Sequence, residues 1–512
     1  MGCHVDSMGE CSVSGRELTL WTWFRDRSAL TPDRVAIDFN GRQITYHELA
    51  LVSQHRASEL TARGCVRGDR VATLARSSPE QVELFFACSI IGAILVPLNR
   101  RLSAPELAWQ LGDAEPSIFY ADDASFDLAS AAANQSEWDQ KVDRLNESLG
   151  GGIATAMVPV ARDDDAILLI YTSGTTGRPK GAMISHANCF WTNISLDRTA
   201  EIHAEDVVLQ VLPQCHVGGW NVQPLLAWWK GATVVLEREF DAARVLRVIA
   251  EKGITTMMGV PTNYLLMARD PSFADADLGT LRQMIVGGAP MPETLLDTWL
   301  SRGVTILQGY GLTEAAPNVL CVPPEYAKQK VGSAGRPYLH VRVALRRGEE
   351  VIDGVATGEL IVAGPNVFLG YWNNSEATSM VVRDGWLATG DVAARDEDGF
   401  YWMKGRLKDM YISGGENVYP AEIEQVLSSN PAIAVAAVVS VPHDQWGETG
   451  YAFVVLENGE HVSIDELTAY CRDSLASFKV PQWISIVEDL PLLGSGKVDK
   501  VRLSAKAQGE SV

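Results

Sequence analysis

The chain carries, directly after an apolar run, the stretch Tyr171-Thr172-Ser173-Gly174-Thr175-Thr176-Gly177-Arg178-Pro179-Lys180-Gly181-Ala182. The apolar run, Ala166 to Ile170, predicts a buried strand. The stretch that follows holds three glycines and four small hydroxyl side chains, which leave backbone N–H groups and short donors open to a ligand. Lys180 adds a mobile positive charge, and the G-x-x-x-x-G-K-[ST] spacing of a Walker loop is absent. We therefore expect a polyphosphate-binding loop, with a plain surface loop as the alternative.

Four further motifs follow in order: Gln308-Gly309-Tyr310-Gly311-Leu312-Thr313-Glu314, Trp386-Leu387-Ala388-Thr389-Gly390-Asp391, Gly405-Arg406-Leu407-Lys408-Asp409 and Gly494-Ser495-Gly496-Lys497. Together with the first loop, they resemble the ordered signatures of the adenylate-forming (ANL) superfamily of acyl-CoA synthetases, peptide-synthetase adenylation domains and beetle luciferases. The resemblance runs from about Leu18 to about Ala505, and is strongest to fatty acyl-CoA synthetases and 4-chlorobenzoate-type CoA ligases. It implies an AMP-forming ligase that turns a carboxylic acid into an acyl-adenylate and then into a coenzyme A thioester.

Composition limits the class of protein. At 512 residues the chain exceeds one hydrophobic core, and 46% hydrophobic with 21% charged residues is ordinary for a globular enzyme. A net charge of −21 argues against nucleic-acid binding, and no apolar run reaches the roughly 20 residues of a transmembrane helix. Eight cysteines without C-x-x-C pairs are typical of free thiols in a reducing compartment, so we expect a cytoplasmic protein. Residues 1–16 lack the basic start and apolar core of a signal peptide, and we expect a disordered tail.

The order of apolar runs predicts an α/β fold. The candidate strands are Val207-Val211, Thr233-Leu236, Thr255-Val260, Gln283-Val286 and Val304-Leu307, with a smaller β-rich region at Glu359-Ala363 and Gly399-Met403. Motif loops leave such strands at Thr172, Pro213, Gly287 and Gln308, and should meet at the carboxyl edge of a sheet. We expect a large N-terminal domain of βαβ-type layered subdomains, residues 17–406, which binds AMP and the acyl group. A small mobile α+β C-terminal domain, residues 407–512, should follow a hinge that the resemblance places at Lys408.

The resemblance assigns the nucleotide site. Around the phosphates it implies Thr172, Ser173, Gly174, Thr175, Thr176, Gly177 and Lys180. Thr313 would touch the α-phosphate, Glu314 would bind Mg²⁺, and Asp391 with Arg406 would hold the ribose. Adenine would lie between Gly288-Ala289-Pro290 and Tyr310-Gly311, although Tyr310 as a core aromatic residue is the alternative.

Lys497 is implied as the catalytic lysine that bridges the acid and the α-phosphate. Its loop departs from the family pattern, because Leu492-Leu493-Gly494 stand where a basic residue, a Thr or Asn and often a proline are usual. We expect this departure to cost preorganisation, which puts the adenylation step in question.

The acyl pocket is implied by Leu212-Pro213-Gln214-Cys215-His216-Val217-Gly218-Gly219-Trp220. His216 would orient the carboxylate at the mouth, with a packing role as the alternative. Val217, Gly219, Trp220, Gly287 and Gly309 would line the wall. Cys215 replaces a larger aromatic residue and two glycines follow, so we expect a hollowed wall that takes a long or bulky hydrophobic acid.

Thioester formation is implied for a second arrangement of the C-terminal domain. Ser413-Gly414-Gly415-Glu416-Asn417-Val418-Tyr419-Pro420 resembles the segment that then meets the active site. Gly414 and Gly415 would admit the pantetheine arm beside Glu416, and Trp446 would line the thiol path or simply pack on the surface.

The expected ligands are ATP, Mg²⁺, coenzyme A and a small-molecule carboxylic acid. Several alternatives stay open: an enzyme biased toward thioester formation from a supplied acyl-adenylate, an adenylation enzyme that loads a carrier protein, a luciferase-like oxygenase and a non-catalytic adenylate binder. A homodimer is also open, as is a partner adenylating enzyme if adenylation is impaired.

Overall fold

A computed structural model describes residues 15, 17–138, 141–146, 157–172, 178–413, 415–444, 446–493 and 498–509. Five residues of the expected phosphate loop, Ser173 to Gly177, lie outside the described residues. So do Gly414, the lysine loop from Gly494 to Lys497, and nearly all of the expected N-terminal tail.

The strands alternate with helices through the first two thirds of the chain. In chain order the strands are β1 (Val35–Phe39), β2 (Arg42–Thr45), β3 (Arg70–Leu74), β4 (Ile94–Pro97), β5 (Ile118–Ala121), β6 (Val142–Arg144), β7 (Ala166–Thr172), β8 (Lys180–Ser185), β9 (Val207–Gln210), β10 (Thr233–Leu236), β11 (Thr256–Gly259), β12 (Gln283–Val286), β13 (Ile306–Gly311), β14 (Asn318–Cys321), β15 (Arg336–Pro337), β16 (Arg342–Arg347), β17 (Glu350–Ile352), β18 (Ala356–Ala363), β19 (Gly370–Tyr371), β20 (Val382–Arg383), β21 (Trp386–Arg395), β22 (Tyr401–Arg406), β23 (Tyr411–Ser413), β24 (Glu416–Val418), β25 (Ile433–His443), β26 (Gly447–Leu456) and β27 (Trp483–Ile486). The α-helices are α1 (Leu20–Leu30), α2 (Tyr46–Ala62), α3 (Pro79–Ile91), α4 (Ala104–Ala114), α5 (Phe126–Gln135), α6 (His186–Asp197), α7 (Gly218–Asn221), α8 (Pro224–Lys230), α9 (Ala242–Lys252), α10 (Pro261–Arg269), α11 (Glu293–Ser301), α12 (Ser375–Val381), α13 (Pro420–Ser428), α14 (Ile464–Ser474) and α15 (Lys500–Ala507).

Two mostly parallel sheets form the N-terminal part. One has the order β19-β8-β7-β4-β3-β5-β6, in which β3 to β7 are parallel. The other has the order β15-β14-β13-β12-β11-β9-β10-β1-β2, with parallel pairing from β13 to β1. Strands β4, β5 and β12 are buried along their whole length, as expected where crossover helices cover both faces of a parallel sheet. The α/β prediction is confirmed.

A smaller antiparallel sheet follows, with the order β17-β16-β18-β21-β20 and β22 paired to β21. It contains the two segments predicted to be β-rich. The last sheet has the order β24-β23-β26-β25, with β27 parallel to β26, and packs its own core around Tyr411, Val438 and Val454. It forms the smaller C-terminal domain. An ion pair between Arg269, the last residue of α10, and Glu457 joins it to the large domain.

Two predicted strands, Thr233-Leu236 and Gln283-Val286, have the bounds of β10 and β12. The strand predicted at Val304-Leu307 is shifted, because β13 runs to Gly311 and the expected loop start at Gln308 lies inside it. The reason is a second partner: β13 pairs with β12 up to Gln308, and from Gly309 to Gly311 it pairs with antiparallel β14. Among the described residues, no helix is both long enough and apolar enough to span a bilayer.

Candidate active site

The phosphate-loop flank and the expected magnesium ligand lie side by side. Thr172 ends β7 and Glu314 lies in the single 3₁₀ turn Thr313–Ala315 after β13. The Thr172 hydroxyl is 3.5 Å from Oε1 of Glu314. A residue that the sequence did not single out, Tyr371 of β19, donates its hydroxyl hydrogen to the same Oε1 at 2.9 Å. Burial and the neighbouring carboxylate raise the pKa of Tyr371, so its hydroxyl stays a donor.

Lys180 lies on a strand, whereas the sequence predicted a loop position. It is the first residue of β8 and pairs with Thr172 across the hairpin, so its backbone is held by the sheet. Its ammonium lies 5.1 Å from the centroid of the Tyr371 ring. A cation over an aromatic face is attracted by the ring quadrupole. The ammonium of Lys180 therefore lies over the ring of Tyr371, the residue whose hydroxyl donates to Glu314.

Glu314 fits a magnesium ion. It is a partly exposed carboxylate beside a hydroxyl, which is the hard-oxygen chemistry that Mg²⁺ prefers. The described residues hold no cluster of three or more His, Cys, Asp or Glu side chains that would form a metal cage. Mg²⁺ at this place would thus rest on one carboxylate together with nucleotide phosphates, where it would offset phosphate charge.

The expected ribose residues form a second cluster. Asp391 on β21 is buried and pairs across the sheet with Arg406 on β22, whose Nε lies 2.8 Å from Oδ1. Tyr310 donates its hydroxyl hydrogen to Oδ2 of Asp391 at 2.6 Å. Burial, followed by the charge of Asp391, raises the pKa of Tyr310. Because each carboxylate oxygen accepts two hydrogen bonds, Asp391 keeps acceptor capacity for a diol.

Tyr310 and Gly311 connect this cluster to Glu314. Both are in β13, three and two residues before the turn that carries Glu314. A Cβ at Gly311 would lie 1.9 Å from the carbonyl oxygen of Pro317, so only glycine fits there. This close packing fixes the position of the turn directly after β13. Gly288, Ala289 and Pro290 are exposed in the loop that follows β12, the strand next to β13.

The segment of residues 212–220, called the acyl-side segment below, is held in place by the side-chain amide of Gln210. The backbone N–H of His216 donates to the Pro213 carbonyl oxygen at 3.1 Å, which turns the chain sharply after β9. Gln210 donates to the carbonyl oxygens of Leu212 and Gly219, both at 2.9 Å. His216 stays partly exposed above this base. The structure thus places His216 on a fixed turn.

Three residues that were expected to line the acyl pocket, Val217, Gly219 and Trp220, are buried. Trp220 is 0% exposed, stacks on Phe85 at 4.7 Å between ring centroids and donates Nε1–H to Gln214. A Cβ at Gly219 would lie 2.4 Å from the Pro213 carbonyl oxygen. The prediction that Gly219 hollows the wall is therefore wrong at this position, because backbone already fills the space. Val217 is also buried in the core.

Gly287, which directly follows β12, lies next to Gly309 within β13. A Cβ at Gly287 would lie 3.4 Å from the Gly309 carbonyl oxygen and 3.1 Å from the terminal methyl of Met258. Met258, on β11, is partly buried and was not expected from the sequence. A Cβ at Gly309 would lie 3.3 Å from the Leu320 carbonyl oxygen, so the two glycines are bordered by backbone of β14 and by the Met258 methyl.

The expected thioester-step residues lie in or next to the C-terminal domain. Lys408 is exposed in a 3₁₀ turn, Leu407–Asp409, between β22 and β23. Gly415 is exposed with a left-handed φ of 88°, in the β23–β24 turn, and Glu416 begins β24. Trp446 is 41% exposed, and its backbone N–H donates to Nδ1 of His443 at 3.2 Å.

The flanks of the lysine loop are held together. Leu492 and Val498 form an isolated antiparallel bridge, and the Asp499 N–H donates to the Pro491 carbonyl oxygen at 2.8 Å. Leu492 and Leu493 are 62% and 39% exposed. Leu492 and Leu493 are therefore not part of the core of the C-terminal domain. The two flanks of the lysine loop are joined by backbone hydrogen bonding.

Comparison with known proteins agrees with this geometry. Residues 24–372 match the family model described as AMP-binding enzyme, and residues 422–497 match the AMP-binding enzyme C-terminal domain. Feruloyl-CoA synthase from Amycolatopsis sp is 40% identical over 95% of this chain and 98% of its own length. Indoleacetate–CoA ligase from Aromatoleum aromaticum is 37% identical over 94% of this chain and 97% of its own length.

Solved structures show the same fold with ligands. o-Succinylbenzoate CoA synthetase from Bacillus subtilis, in complex with its acyl-adenylate intermediate, has a TM-score of 0.85 at 31% identity, covering 94% of this chain and 97% of that one. The same enzyme with ATP and a magnesium ion also has a TM-score of 0.85 at 31% identity, covering 93% and 98%.

The chain belongs to the AMP-binding enzyme family of the adenylate-forming superfamily. It is an acid–CoA ligase, which activates a carboxylic acid with ATP to an acyl-adenylate and transfers the acyl group to coenzyme A. ATP, Mg²⁺ and coenzyme A are its cosubstrates and cofactor, as the sequence predicted.

Proposed function

We propose that this ligase acts on a bulky hydrophobic acid of the aryl type. The single observation that carries the catalytic assignment is the meeting of Thr172, Glu314 and Tyr371 beside Lys180. The two similar relatives are named for feruloyl and indoleacetate thioesters, which favours an acid with a flat ring over a plain fatty acid.

The nucleotide roles follow from the two clusters. Thr172 and Lys180, with Ser173 to Gly177 between them, wrap the β- and γ-phosphates, and Glu314 binds Mg²⁺ beside them. Thr313 contacts the α-phosphate. Asp391 accepts the ribose hydroxyls while Tyr310 and Arg406 hold its carboxylate in place.

The acyl group lies next to Gly287, Gly309 and Met258. The Met258 methyl is the side-chain atom nearest to the Cβ position of Gly287, and it is an adaptable apolar contact for a planar ring. His216 orients the carboxylate at the mouth. Gly219 and Trp220 act only indirectly, by fixing the turn that carries His216.

Lys497 serves the adenylation step, and the C-terminal domain, residues 407–512, then rotates at Lys408. The rotation brings Gly414, Gly415, Glu416 and Trp446 to the site for thioester formation. The pairing of Leu492 with Val498 supports a complete ligase, since it supplies preorganisation that the missing proline would otherwise provide.

We also propose a cytoplasmic location, because the six described cysteines are all free thiols, five of them buried. A homodimer, and a partner adenylating enzyme in case adenylation is slow, are further proposals. Light scattering and the assay below test them.

The substrate class is tested by coenzyme A thioester formation over matched acids. The panel holds hydroxycinnamic, indole-acetic and benzoic acids beside fatty acids of equal carbon number, with kcat/KM measured by mass spectrometry. Aryl acids should be preferred by at least about tenfold, which corresponds to about 1.4 kcal/mol. A preference for the fatty acids would contradict the aryl assignment and leave the ligase class intact.

The role of Lys497 is tested by half-reactions. Lys497→Ala should remove acid-dependent pyrophosphate release and spare thioester formation from synthetic acyl-AMP. Lys506→Ala, an exposed lysine of α15, is the control that should change neither step. If both steps fall equally in Lys497→Ala, the lysine has no step-specific role.

A further inference from the structure

A buried side-chain amide connects α7, the helix at the end of the acyl-side segment and called the acyl-side helix below, to the turn that carries Glu314. Asn221 is the last residue of α7, five residues after His216, and it is 0% exposed. Its Nδ2 donates to the carbonyl oxygen of Ala316 at 2.5 Å. Ala316 directly follows the turn Thr313–Ala315.

The orientation of this amide is fixed by a second one. Nδ2 of Asn193, on α6, donates to Oδ1 of Asn221 at 2.7 Å and to the Cys189 carbonyl oxygen at 2.7 Å. With Oδ1 of Asn221 taken as acceptor, its NH₂ group must face Ala316. Asn193 is also 0% exposed, so neither hydrogen bond competes with bulk water.

The opposite side of the turn is bound by a different segment. The Phe368 N–H donates to the Glu314 carbonyl oxygen at 2.9 Å, and Nδ2 of Asn366 donates to the carbonyl oxygens of Ala315 and Asn318 at 3.2 and 3.1 Å. The backbone of the Glu314 turn is thus held from two sides. The hydrogen bonds from Asn366 and Phe368 come from the segment before β19, whereas the one from Asn221 comes from α7 and so joins the turn to the acyl-side segment.

We propose that Asn221 is a positioning residue, which holds the Glu314 turn in the geometry that binds magnesium-bound ATP and couples that turn to the acyl-side helix. This rests on the proposed role of Glu314. Without the Asn221 donor, the Ala316 carbonyl oxygen would be buried and unpaired, and the turn would shift to recover a partner. A shifted turn moves the Glu314 carboxylate away from its place between Thr172 and Tyr371.

The test measures ATP affinity by titration calorimetry, at zero and at saturating MgCl₂, and therefore needs no acid substrate. In Asn221→Leu the gain in ATP affinity that Mg²⁺ produces should fall about tenfold, while affinity without Mg²⁺ stays unchanged. Gln223→Leu is the matched control: it is a buried amide two residues along that donates to Thr256 at 2.8 Å instead of the turn. It should keep the full Mg²⁺ effect.

Two further variants separate the outcomes. Asn193→Ala frees the Asn221 amide to rotate, so it should reduce the Mg²⁺ effect in the same direction but less, and it carries the test if Asn221→Leu does not fold. Glu314→Gln should remove the Mg²⁺ effect. An unchanged Mg²⁺ effect in Glu314→Gln would overturn the assignment of Glu314 itself. A lost effect in Glu314→Gln with a full effect in the Asn221 and Asn193 variants would overturn only the positioning role.

Discussion

The hydroxyl of Tyr371 offers a sharp test of the active-site geometry. Tyr371→Phe removes one hydrogen bond, 2.9 Å long, to the Glu314 carboxylate. The ring remains, and with it the Lys180 contact at 5.1 Å and the edge contact with Phe368 at 5.0 Å. The change therefore isolates the orientation of Glu314 from the packing of β19.

The expected magnitude follows from the charged acceptor. A hydrogen bond to an ionised group contributes about 2 kcal/mol, which is about thirtyfold in rate if it is needed in the transition state. We expect kcat/KM for acid-dependent ATP–pyrophosphate exchange to fall by about that factor. Thioester formation from synthetic acyl-AMP should change less than about threefold, because the phosphate charge that Glu314 serves has then left.

Tyr46→Phe is the control for general loss of stability. Its buried hydroxyl donates to the Ala232 carbonyl oxygen at 2.6 Å, between the start of α2 and the residue before β10. It should lower the free energy of unfolding by about 1 kcal/mol and leave both half-reactions intact. An exchange rate for Tyr371→Phe equal to wild type, or equal losses in both steps, would refute the role given to the Glu314 cluster.

Three other predictions concern stability and the second step. Burial raises the pKa of Glu83 from its ordinary value of 4.5 to about 7. The folded state therefore binds this proton more tightly than the unfolded state, and the free energy of unfolding falls as pH rises from about 4.5 to 7. In urea unfolding, Glu83→Gln should be more stable than wild type by up to about 3 kcal/mol at pH 8 and equally stable at pH 4. Gly311→Ala should cost more than about 3 kcal/mol, whereas Gly112→Ala, where a Cβ meets nothing within 4 Å in α4, should stabilise by about 0.5–1 kcal/mol; similar effects in the two variants would contradict the close approach to Pro317. Gly415→Trp should reduce thioester formation while acid-dependent pyrophosphate release continues, and an intact thioester rate would exclude the proposed pantetheine path.

Much of the sheet could be predicted because its strands are short apolar runs with abrupt ends. Thr233-Leu236 and Gln283-Val286 are examples, since both are buried parallel strands whose limits coincide with the apolar run. Local patterns do not reveal pairing with distant segments, so β13 was predicted to end too early. For the same reason Lys180 was expected on a loop and not on a strand.

The chemistry-bearing residues were found from motifs, but their supports were not. Tyr371 contacts Glu314 from 57 residues away, and a tyrosine beside a tryptophan looks like an ordinary hairpin residue. Asn221 likewise lies in an apolar stretch without a charged neighbour. Gly219 was assigned to the pocket by the resemblance of its segment, and its missing side chain suggested free space. Only the position of Pro213 reveals that backbone fills that space.

This chain should carry out both half-reactions from the free acid. The most direct measurement follows AMP, pyrophosphate and acyl-CoA together when purified protein, ATP, Mg²⁺ and coenzyme A meet the aryl-acid panel, with a parallel reaction from synthetic acyl-AMP. We predict equal amounts of the three products from the free acid. Thioester formation from supplied acyl-AMP alone, with no acid-dependent pyrophosphate release, would show that the chain does not form the adenylate itself and that another enzyme makes it.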